Sequence, residues 1–208
     1  HYYFNNINDD GFFVVRKKNF EELKNALKDK DIELILACEI YMSKAREIEK
    51  INKFNIQGTK YILLELPFRT AFNKSLFERL YNIINYAGCI PIIAHAERYP
   101  AIHSKPEFIY QMIQMGCLIQ VNTSSLFSES LKKLTFKMFK MEQVHCLGTD
   151  CHNDKRPPLY EKAKQLIIDK FGKQYFDTLQ QNMNDILHDK SIIIPKTKPI
   201  KKLFGFYI

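Results

Sequence analysis

The chain has 208 residues, 46% of them hydrophobic and 26% charged, and its formal net charge is +8. This length predicts one domain with a full hydrophobic core, and no stretch is long and apolar enough to suggest a membrane-spanning helix. The positive charge favours an anionic partner such as a phosphate, an acidic protein or a lipid surface, although a solvated basic surface explains it equally well. We expect no nucleic-acid partner, because no nucleic-acid-binding motif is present.

Cysteine usage bears on the cellular compartment. The five cysteines are an odd number without paired spacing, and Cys38, Cys89 and Cys146 lie inside apolar runs. This pattern predicts reduced, buried thiols and a cytoplasmic location.

The first predicted elements are a loop and a helix. Turn-forming residues, including Asp9-Asp10-Gly11, predict a loop over residues 1–18. Asn19 and Glu22 then form a capping box that opens a helix. Its predicted buried stripe consists of Phe20, Leu23, Ala26 and Leu27.

Further along the chain, short apolar runs alternate with amphipathic helices. The runs predict strands over residues 33–39, 61–66, 89–95, 117–122 and 144–149. Helices are predicted over residues 72–87, 104–115, 128–141, 158–171 and 174–187, and a loop with a helical turn over 40–56. This alternation predicts an α/β fold with a parallel sheet, either open or closed into a barrel. No Gly-x-Gly-x-x-Gly motif follows a strand, so a dinucleotide-binding fold is not indicated.

Ionisable side chains end several of the predicted strands. Glu39, Glu65, His95 and Asp150 each follow an apolar run, and His152 lies two residues beyond Asp150. In β/α barrels the active site forms at the carboxyl ends of the strands. Carboxylates and imidazoles that converge there would be costly without a cation, and this mixture suits Mn²⁺, Fe²⁺ or Zn²⁺. The alternative is chance, since a single buried histidine at a strand end is usually a core residue.

Two arginines lie close to these residues in sequence. Arg98 is three residues after His95, and Arg156 is four residues after His152. A guanidinium group binds phosphate through two parallel hydrogen bonds. Arginines beside metals therefore predict phosphoester chemistry, whereas surface ion pairs with Glu97 or Asp154 are the alternative.

Several segments together resemble a known superfamily. They are CEIYMS, YILLEL, PIIAHAERYP, MGCLIQVNTSSL and GTDCHNDKRPP. In this order they resemble the PHP (polymerase and histidinol phosphatase) superfamily, and most of all its bacterial tyrosine phosphatases of capsular and exopolysaccharide operons. The resemblance runs from His1 to about Leu187, and it implies a distorted TIM-like (β/α)7 barrel.

The resemblance also implies a function and a set of site residues. The function is a metal-dependent protein-tyrosine phosphatase that acts on the phosphotyrosine tail of a bacterial kinase controlling polysaccharide synthesis, with a metal-bridged hydroxide as nucleophile. Up to three divalent ions are implied, with Mn²⁺ first and Fe or Zn as alternatives. The implied ligands are Glu39, which bridges two ions and is joined by Asp150 on the first, Glu65 and His95 for the second, and His1 and His152 for the third. The implied catalytic residues are Asp150, His152, Arg98 and Arg156, of which the two arginines bind phosphate.

One departure from the superfamily lies at the N-terminus. Members begin with a strand that carries His-x-His, followed by an Asp-Gly loop, and this sequence has neither before His1. We therefore expect an N-terminally incomplete domain over residues 1–190, without its first strand–helix unit, that folds poorly or binds fewer metals.

The tail over residues 191–208 is basic and aromatic and ends in LFGFYI. It is predicted to contact a membrane surface or a kinase partner, or else to cap the domain.

Two other functions are compatible with the residues. One is a small-molecule phosphatase such as histidinol phosphatase, and the other is an inactive, truncated barrel that serves as an interaction module. No Cys-x5-Arg loop is present, so a cysteinyl-phosphate route is not indicated. The sequence leaves the oligomeric state open, with a homo-oligomer among the options.

Overall fold

The computed structural model describes residues 1–3, 9–42, 48–69 and 72–208. Its centre is a six-stranded sheet in which each strand pairs in parallel with the next along the chain. The strands are β1 (Tyr2–Tyr3), β2 (Glu39–Tyr41), β3 (Tyr61–Glu65), β4 (Ile90–Ile93), β5 (Leu118–Asn122) and β6 (Cys146–Gly148). The α/β class and the parallel sheet are as predicted.

Seven α-helices occur in the described part of the chain. They are α1 (Asp9–Ala26), α2 (Lys74–Asn85), α3 (Pro100–Ser104), α4 (Glu107–Gln114), α5 (Lys132–Lys140), α6 (Tyr160–Phe171) and α7 (Lys173–Leu187). The helix predicted over residues 104–115 is in fact α4 preceded by the short α3, because Lys105 and Pro106 separate the two.

The core lies between the sheet and its helices. All five residues of β5 are buried, which is typical of a parallel strand covered on both faces. On α2, Leu76, Leu80 and Ile83 form the buried stripe predicted from helical spacing, and each such side chain stabilises the fold by about 1.5–3 kcal/mol.

The prediction for the N-terminal region is wrong. Residues from Asp9 onward form α1, so Asp9-Asp10-Gly11 begin a helix rather than a turn, and Asn19 lies inside that helix. Acidic residues are favourable in a first helical turn, so the same letters fit both structures. The helix is fixed by aromatic contacts: the ring centroids of Phe12 and Phe13 lie 6.3 and 4.9 Å from that of Phe54. Residues 4–8 of the predicted loop, and residues 43–47 of the next one, fall outside the described residues.

The second strand also differs from its prediction. Glu39 begins β2, whereas the sequence predicted that it would end a strand over residues 33–39. The segment before it pairs with a loop instead, since Gln57 N–H donates to the Leu36 carbonyl at 2.9 Å and Leu36 N–H donates to Gln57 Oε1 at 3.3 Å.

The sheet is strongly curved. If six strands lay flat, the outer two would be about 24 Å apart. Yet the ring of His1, before β1, stacks on the ring of His152, beyond β6, with centroids 5.4 Å apart. In the residues that the structure describes, β1 and β6 are not hydrogen-bonded to each other, so no closed barrel is seen.

The C-terminal tail packs against the domain. Gln143 Nε2 donates to the Lys198 carbonyl at 2.7 Å, the Thr197 hydroxyl donates to the Met141 carbonyl, and Ile200 is fully buried. The chain ends in an antiparallel hairpin of β7 (Lys202–Leu203) and β8 (Phe206–Tyr207). Among the described helices, none has both the length and the apolar character needed to cross a membrane.

Candidate metal centre

Six side chains lie together at one end of the sheet, one from just before β1 and five from β2, β3 and the loops that follow β4 and β6. They are His1, Glu39, Glu65, His95, Asp150 and His152, which are the residues predicted as metal ligands. The structure therefore brings the predicted set into one place, while the role of each as a ligand stays a prediction.

The carboxylate of Glu39 is the centre of the first half of this cluster. Its Oε1 lies 3.4 Å from His1 Nε2 and 3.2 Å from His95 Nε2, which is itself 3.8 Å from Glu65 Oε1. The ligand atoms of His1, Glu39 and Glu65 all lie within 4.8 Å of one another. Burial, followed by the charge of Glu39, raises the pKa of the Glu65 carboxyl.

These spacings fit a divalent ion. Two donors bound to one ion at about 2.1 Å are separated by about 3.0–3.4 Å in octahedral or tetrahedral geometry. The contacts of Glu39 with His1 and His95, at 3.4 and 3.2 Å, match that range. A cation would also remove the repulsion between Glu39 and Glu65 in a partly buried setting.

Asp150 organises the second half of the cluster. Its Oδ2 accepts hydrogen bonds from Arg98 Nη1 at 3.0 Å and Asn122 Nδ2 at 3.1 Å, and Arg156 Nη1 lies 3.7 Å away. His152 Nδ1 lies 2.9 Å from the Asp150 carbonyl oxygen and 3.2 Å from its Oδ1. A proton on Nδ1 is thus held by Asp150, and the other ring nitrogen of His152 keeps a lone pair for a metal.

Two of these residues have a left-handed backbone. His95, just after β4, has a φ of +35°, and Asp150, just after β6, has a φ of +50°. For residues other than glycine this costs on the order of 1–3 kcal/mol each, and such strain is concentrated at functional sites. Each sharp turn sets the direction of a side chain as it leaves the sheet.

The ligands do not all lie at strand ends. Glu39 is opposite Leu63, two residues before Glu65 along the neighbouring strand, whereas Asp150 lies two residues beyond the end of β6. From β2 to β6, the residues of the cluster therefore lie progressively further toward the carboxyl ends of the strands. This stagger is expected when the strands tilt relative to the axis of the site.

Gln120 supports the centre and was missed in the sequence. Its side chain accepts a hydrogen bond from His95 N–H at 2.7 Å and donates one to Asn122 Oδ1 at 2.9 Å. Gln120 therefore fixes the backbone of His95 and the side-chain amide of Asn122, which in turn contacts Asp150. A buried glutamine inside the apolar run CLIQVN was the signal that could have revealed it.

Glu97 is a second residue whose role was missed, since the sequence suggested only a surface ion pair with Arg98. It is fully buried, and its Oε1 accepts hydrogen bonds from Asn122 N–H at 3.1 Å and from the Ser125 hydroxyl at 2.5 Å. Burial raises the pKa of this carboxyl. Glu97 thereby joins the loop after β4, which carries Arg98, to the loop after β5.

Aromatic side chains form one wall beside His95 and Arg98. The ring of Phe68 lies 5.6 Å from the His95 ring, and the Arg98 guanidinium carbon lies 5.5 Å from the Phe68 centroid. Behind it, the Tyr99 hydroxyl accepts a hydrogen bond from Leu66 N–H at 2.8 Å. This packing limits the rotamers of both functional side chains.

An open cleft of about 360 Å³ adjoins Asp150 on the side of the arginines. Arg98, Lys155 and Arg156 supply positive charge to its lining, which also includes serines and the apolar Leu131. This volume and mixture of polar and apolar groups suit a small anionic ligand that carries an apolar part.

Comparison with known proteins gives a consistent picture. The sequence profile of the family described as "Capsular polysaccharide synthesis, CpsB/CapC" matches residues 5–188. The tyrosine-protein phosphatase YwqE of Bacillus subtilis is 29% identical over 174 residues, covering 81% of this chain and 68% of YwqE. The tyrosine-protein phosphatase CpsB of Streptococcus agalactiae is 30% identical over 191 residues, covering 84% of this chain and 77% of CpsB.

The fold is also similar to a solved structure. A chain from the crystal structures of YwqE from Bacillus subtilis and CpsB from Streptococcus pneumoniae superposes with a TM-score of 0.82 at 25% identity. The superposition covers 91% of this chain and 79% of the other. Those two proteins are described as unique metal-dependent tyrosine phosphatases.

Proposed function

Because the chain belongs to the CpsB/CapC family of capsular polysaccharide synthesis, we propose that it is a metal-dependent tyrosine-protein phosphatase. One observation from the structure carries this proposal: histidines and carboxylates from distant parts of the chain meet beside two arginines at a cleft that can admit a phosphate ester. Without a cation, this concentration of charge in a partly buried place would be costly, so a chance grouping of polar side chains does not explain it.

The residues that would hold the metals are those of the cluster. Glu39, Glu65 and His95 would bind on one side, and Asp150 with His152 on the other, with His1 close to both. When bound, divalent ions supply Lewis-acid activation of water and of the phosphoryl group. We propose Mn²⁺ as the ion because of the mixed nitrogen and oxygen donors, with Fe and Zn as alternatives.

The arginines would bind the phosphate. Arg98 is directed by its hydrogen bond to Asp150 and by the ring of Phe68, while Arg156 is more exposed and also lines the cleft. Each guanidinium has further N–H donors beyond the one directed at Asp150, and these can donate to the oxygens of a phosphate that enters beside it. Leu131 on the cleft wall would contact the ring of a phosphotyrosine.

The substrate that we propose is the phosphotyrosine tail of a bacterial tyrosine kinase that controls capsular or exopolysaccharide synthesis. The family description and the names of the relatives support it. An open cleft also admits a side chain that is presented on a flexible peptide. The five cysteines are free, which supports a cytoplasmic location.

We also propose that the sheet belongs to a distorted (β/α)7 barrel. The stacking of His1 on His152 across the sheet and the stagger of the ligands along the strands support this architecture. A crystal structure in which the two histidine rings lie well apart would contradict it.

Steady-state kinetics test the proposed activity. The chain should hydrolyse phosphotyrosine peptides with a higher kcat/KM than histidinol phosphate, and Arg98→Lys should lower kcat/KM by about 100-fold because lysine cannot form the paired hydrogen bonds. Lys162→Gln, a change on the exposed side of α6, is the matched control and should leave kcat/KM unchanged. Preferred hydrolysis of histidinol phosphate, or full activity of the Arg98 variant, would overturn the proposal.

A further inference from the structure

The C-terminal hairpin presents apolar side chains to solvent, away from any core. Phe204 is 91% exposed and Phe206 is 73% exposed, and Leu203 and Ile208 are about half exposed. Phe204 lies at the turn with a φ of +48°, next to Gly205 at +83°. Single exposed apolar residues are ordinary, but a group of them at the tip of one hairpin indicates a contact surface.

The hairpin is held in place at its base. His103 Nδ1 lies 3.0 Å from the Tyr207 hydroxyl, and its Nε2 lies 2.7 Å from the carbonyl of Glu97. Lys202 Nζ donates to the His103 carbonyl at 2.9 Å. The exposed tip therefore projects from a fixed base, and little ordering is needed before it binds.

Four lysines lie along a groove beside the same hairpin. Lys133, Lys137 and Lys140 recur on one face of α5, and this face and Lys170 line a groove of about 670 Å³ against the hairpin. Within the described ranges, none of these four lysines has a carboxylate within ion-pair distance. Their charge is therefore available to an anionic partner.

We propose that this face, which consists of the hairpin tip and the lysines of α5 and α6, docks on an anionic lipid surface. Aromatic side chains insert at the boundary between headgroups and acyl chains, and lysines beside them attract anionic headgroups. A lipid surface fits better than an acidic peptide, because Phe204 and Phe206 line the groove and yet remain 91% and 73% exposed, so they present apolar area to the partner beside the lysines. This inference does not depend on the proposed phosphatase activity.

The groove supplies a second contact to such a surface. Phe136 and Phe171 form its apolar floor, and the lysines form its rim. A lipid headgroup phosphate would meet the rim while the hairpin tip lies at the depth of the acyl chains. Stable binding needs both an apolar and a basic signal, and this face combines the two.

Fluorescence tests the proposal, because the chain has no tryptophan. Phe204→Trp introduces one reporter at the tip, and Tyr86→Trp places one at a side chain that is 77% exposed on the segment after α2. Vesicles of phosphatidylcholine with an equal amount of phosphatidylglycerol should shift the emission of the first variant to the blue and leave the second unchanged. Vesicles of phosphatidylcholine alone should have no effect, and salt should reverse the shift.

Vesicle co-sedimentation gives an independent measurement on the 208-residue chain. Phe204→Ser/Phe206→Ser should lower the partition coefficient on the anionic vesicles by about tenfold or more, whereas Tyr86→Ser should not change it. Both phenylalanines are exposed, so the variant should keep the thermal unfolding midpoint of the parent chain. Lys133→Gln/Lys137→Gln/Lys140→Gln should weaken binding and flatten its salt dependence.

Several results would overturn the proposal. One is no binding to the anionic vesicles at low salt, and another is equal binding by the double serine variant. A blue shift that depends on protein concentration without vesicles would identify a second copy of the chain as the occupant instead. A shift caused by polyglutamate but not by vesicles would identify an acidic peptide.

Discussion

Replacement of Gly148 by alanine tests whether Gln120 holds the metal centre together. A Cβ atom on Gly148 would lie 2.1 Å from Gln120 Nε2 and 2.8 Å from its Cδ, so the glutamine side chain would have to move. That side chain is buried and is fixed by hydrogen bonds to His95 N–H and to Asn122. Moving its amide away from the new methyl group would stretch or break these bonds.

The expected loss in the free energy of unfolding follows from these contacts. Leaving the buried N–H of His95 unpaired costs about 1–3 kcal/mol, and the lost bond to Asn122 costs about 1 kcal/mol. Overpacking of a close-packed site adds about 1–3 kcal/mol. We therefore expect Gly148→Ala to lower the free energy of unfolding by about 3–7 kcal/mol.

Urea unfolding followed by circular dichroism measures this change. Gln120→Ala should be destabilising by itself, but it removes the clash, so the double variant Gly148→Ala/Gln120→Ala should be no less stable than Gln120→Ala within about 1 kcal/mol. Gly58→Ala is the control, because its Cβ meets nothing and only its left-handed φ is strained. A cost below about 1 kcal/mol for Gly148→Ala, or additive costs in the double variant, would refute the reasoning.

Three further predictions concern the burial or exposure of single side chains. Glu97→Ala should lower the free energy of unfolding by about 3 kcal/mol, because Asn122 N–H and the Ser125 hydroxyl lose their acceptor, and a loss below about 1 kcal/mol in urea unfolding would contradict this role. Burial lowers the pKa of His145 to about 4, so the unfolded chain binds a proton that the folded chain excludes as the pH falls from about 6.5. Stability should therefore decrease toward pH 4 by up to about 3 kcal/mol, and His145→Gln should flatten this slope in urea unfolding. Cys151 is the exposed cysteine among the five, so a thiol reagent should modify one thiol rapidly in the folded chain, and rapid modification of several would be inconsistent with the burial.

The sequence predicted the regular part of the fold because its signals there are local and repeated. The apolar runs that became β3 to β5 are mostly buried on both faces, and α2 shows its stripe directly in its spacing. It failed at α1 because that helix is packed through Phe12 and Phe13 near its start, and the stripe predicted around Leu23 is exposed. Tertiary contacts between aromatic residues decided that segment, and periodicity did not.

The candidate site was predicted to a similar extent. Residue types that bind metals are rare inside apolar runs, so Glu65 and His95 could be identified from the sequence alone. The supporting residues Gln120 and Glu97 could not, because their importance comes from hydrogen bonds to other strands that the local sequence does not encode. The left-handed turn at His95 is likewise maintained by those contacts.

The central claim is that the chain hydrolyses phosphotyrosine with metals held by this cluster. The most direct measurement is the rate of phosphotyrosine-peptide hydrolysis by the chain after chelation and after Mn²⁺ is restored, beside Glu39→Gln, which weakens the carboxylate between His1 and His95. We expect loss of activity on chelation, recovery with Mn²⁺, and a rate at least about 100-fold lower for the variant at the same metal concentration. Hydrolysis that survives chelation, or that is equal in the Glu39 variant, would contradict it.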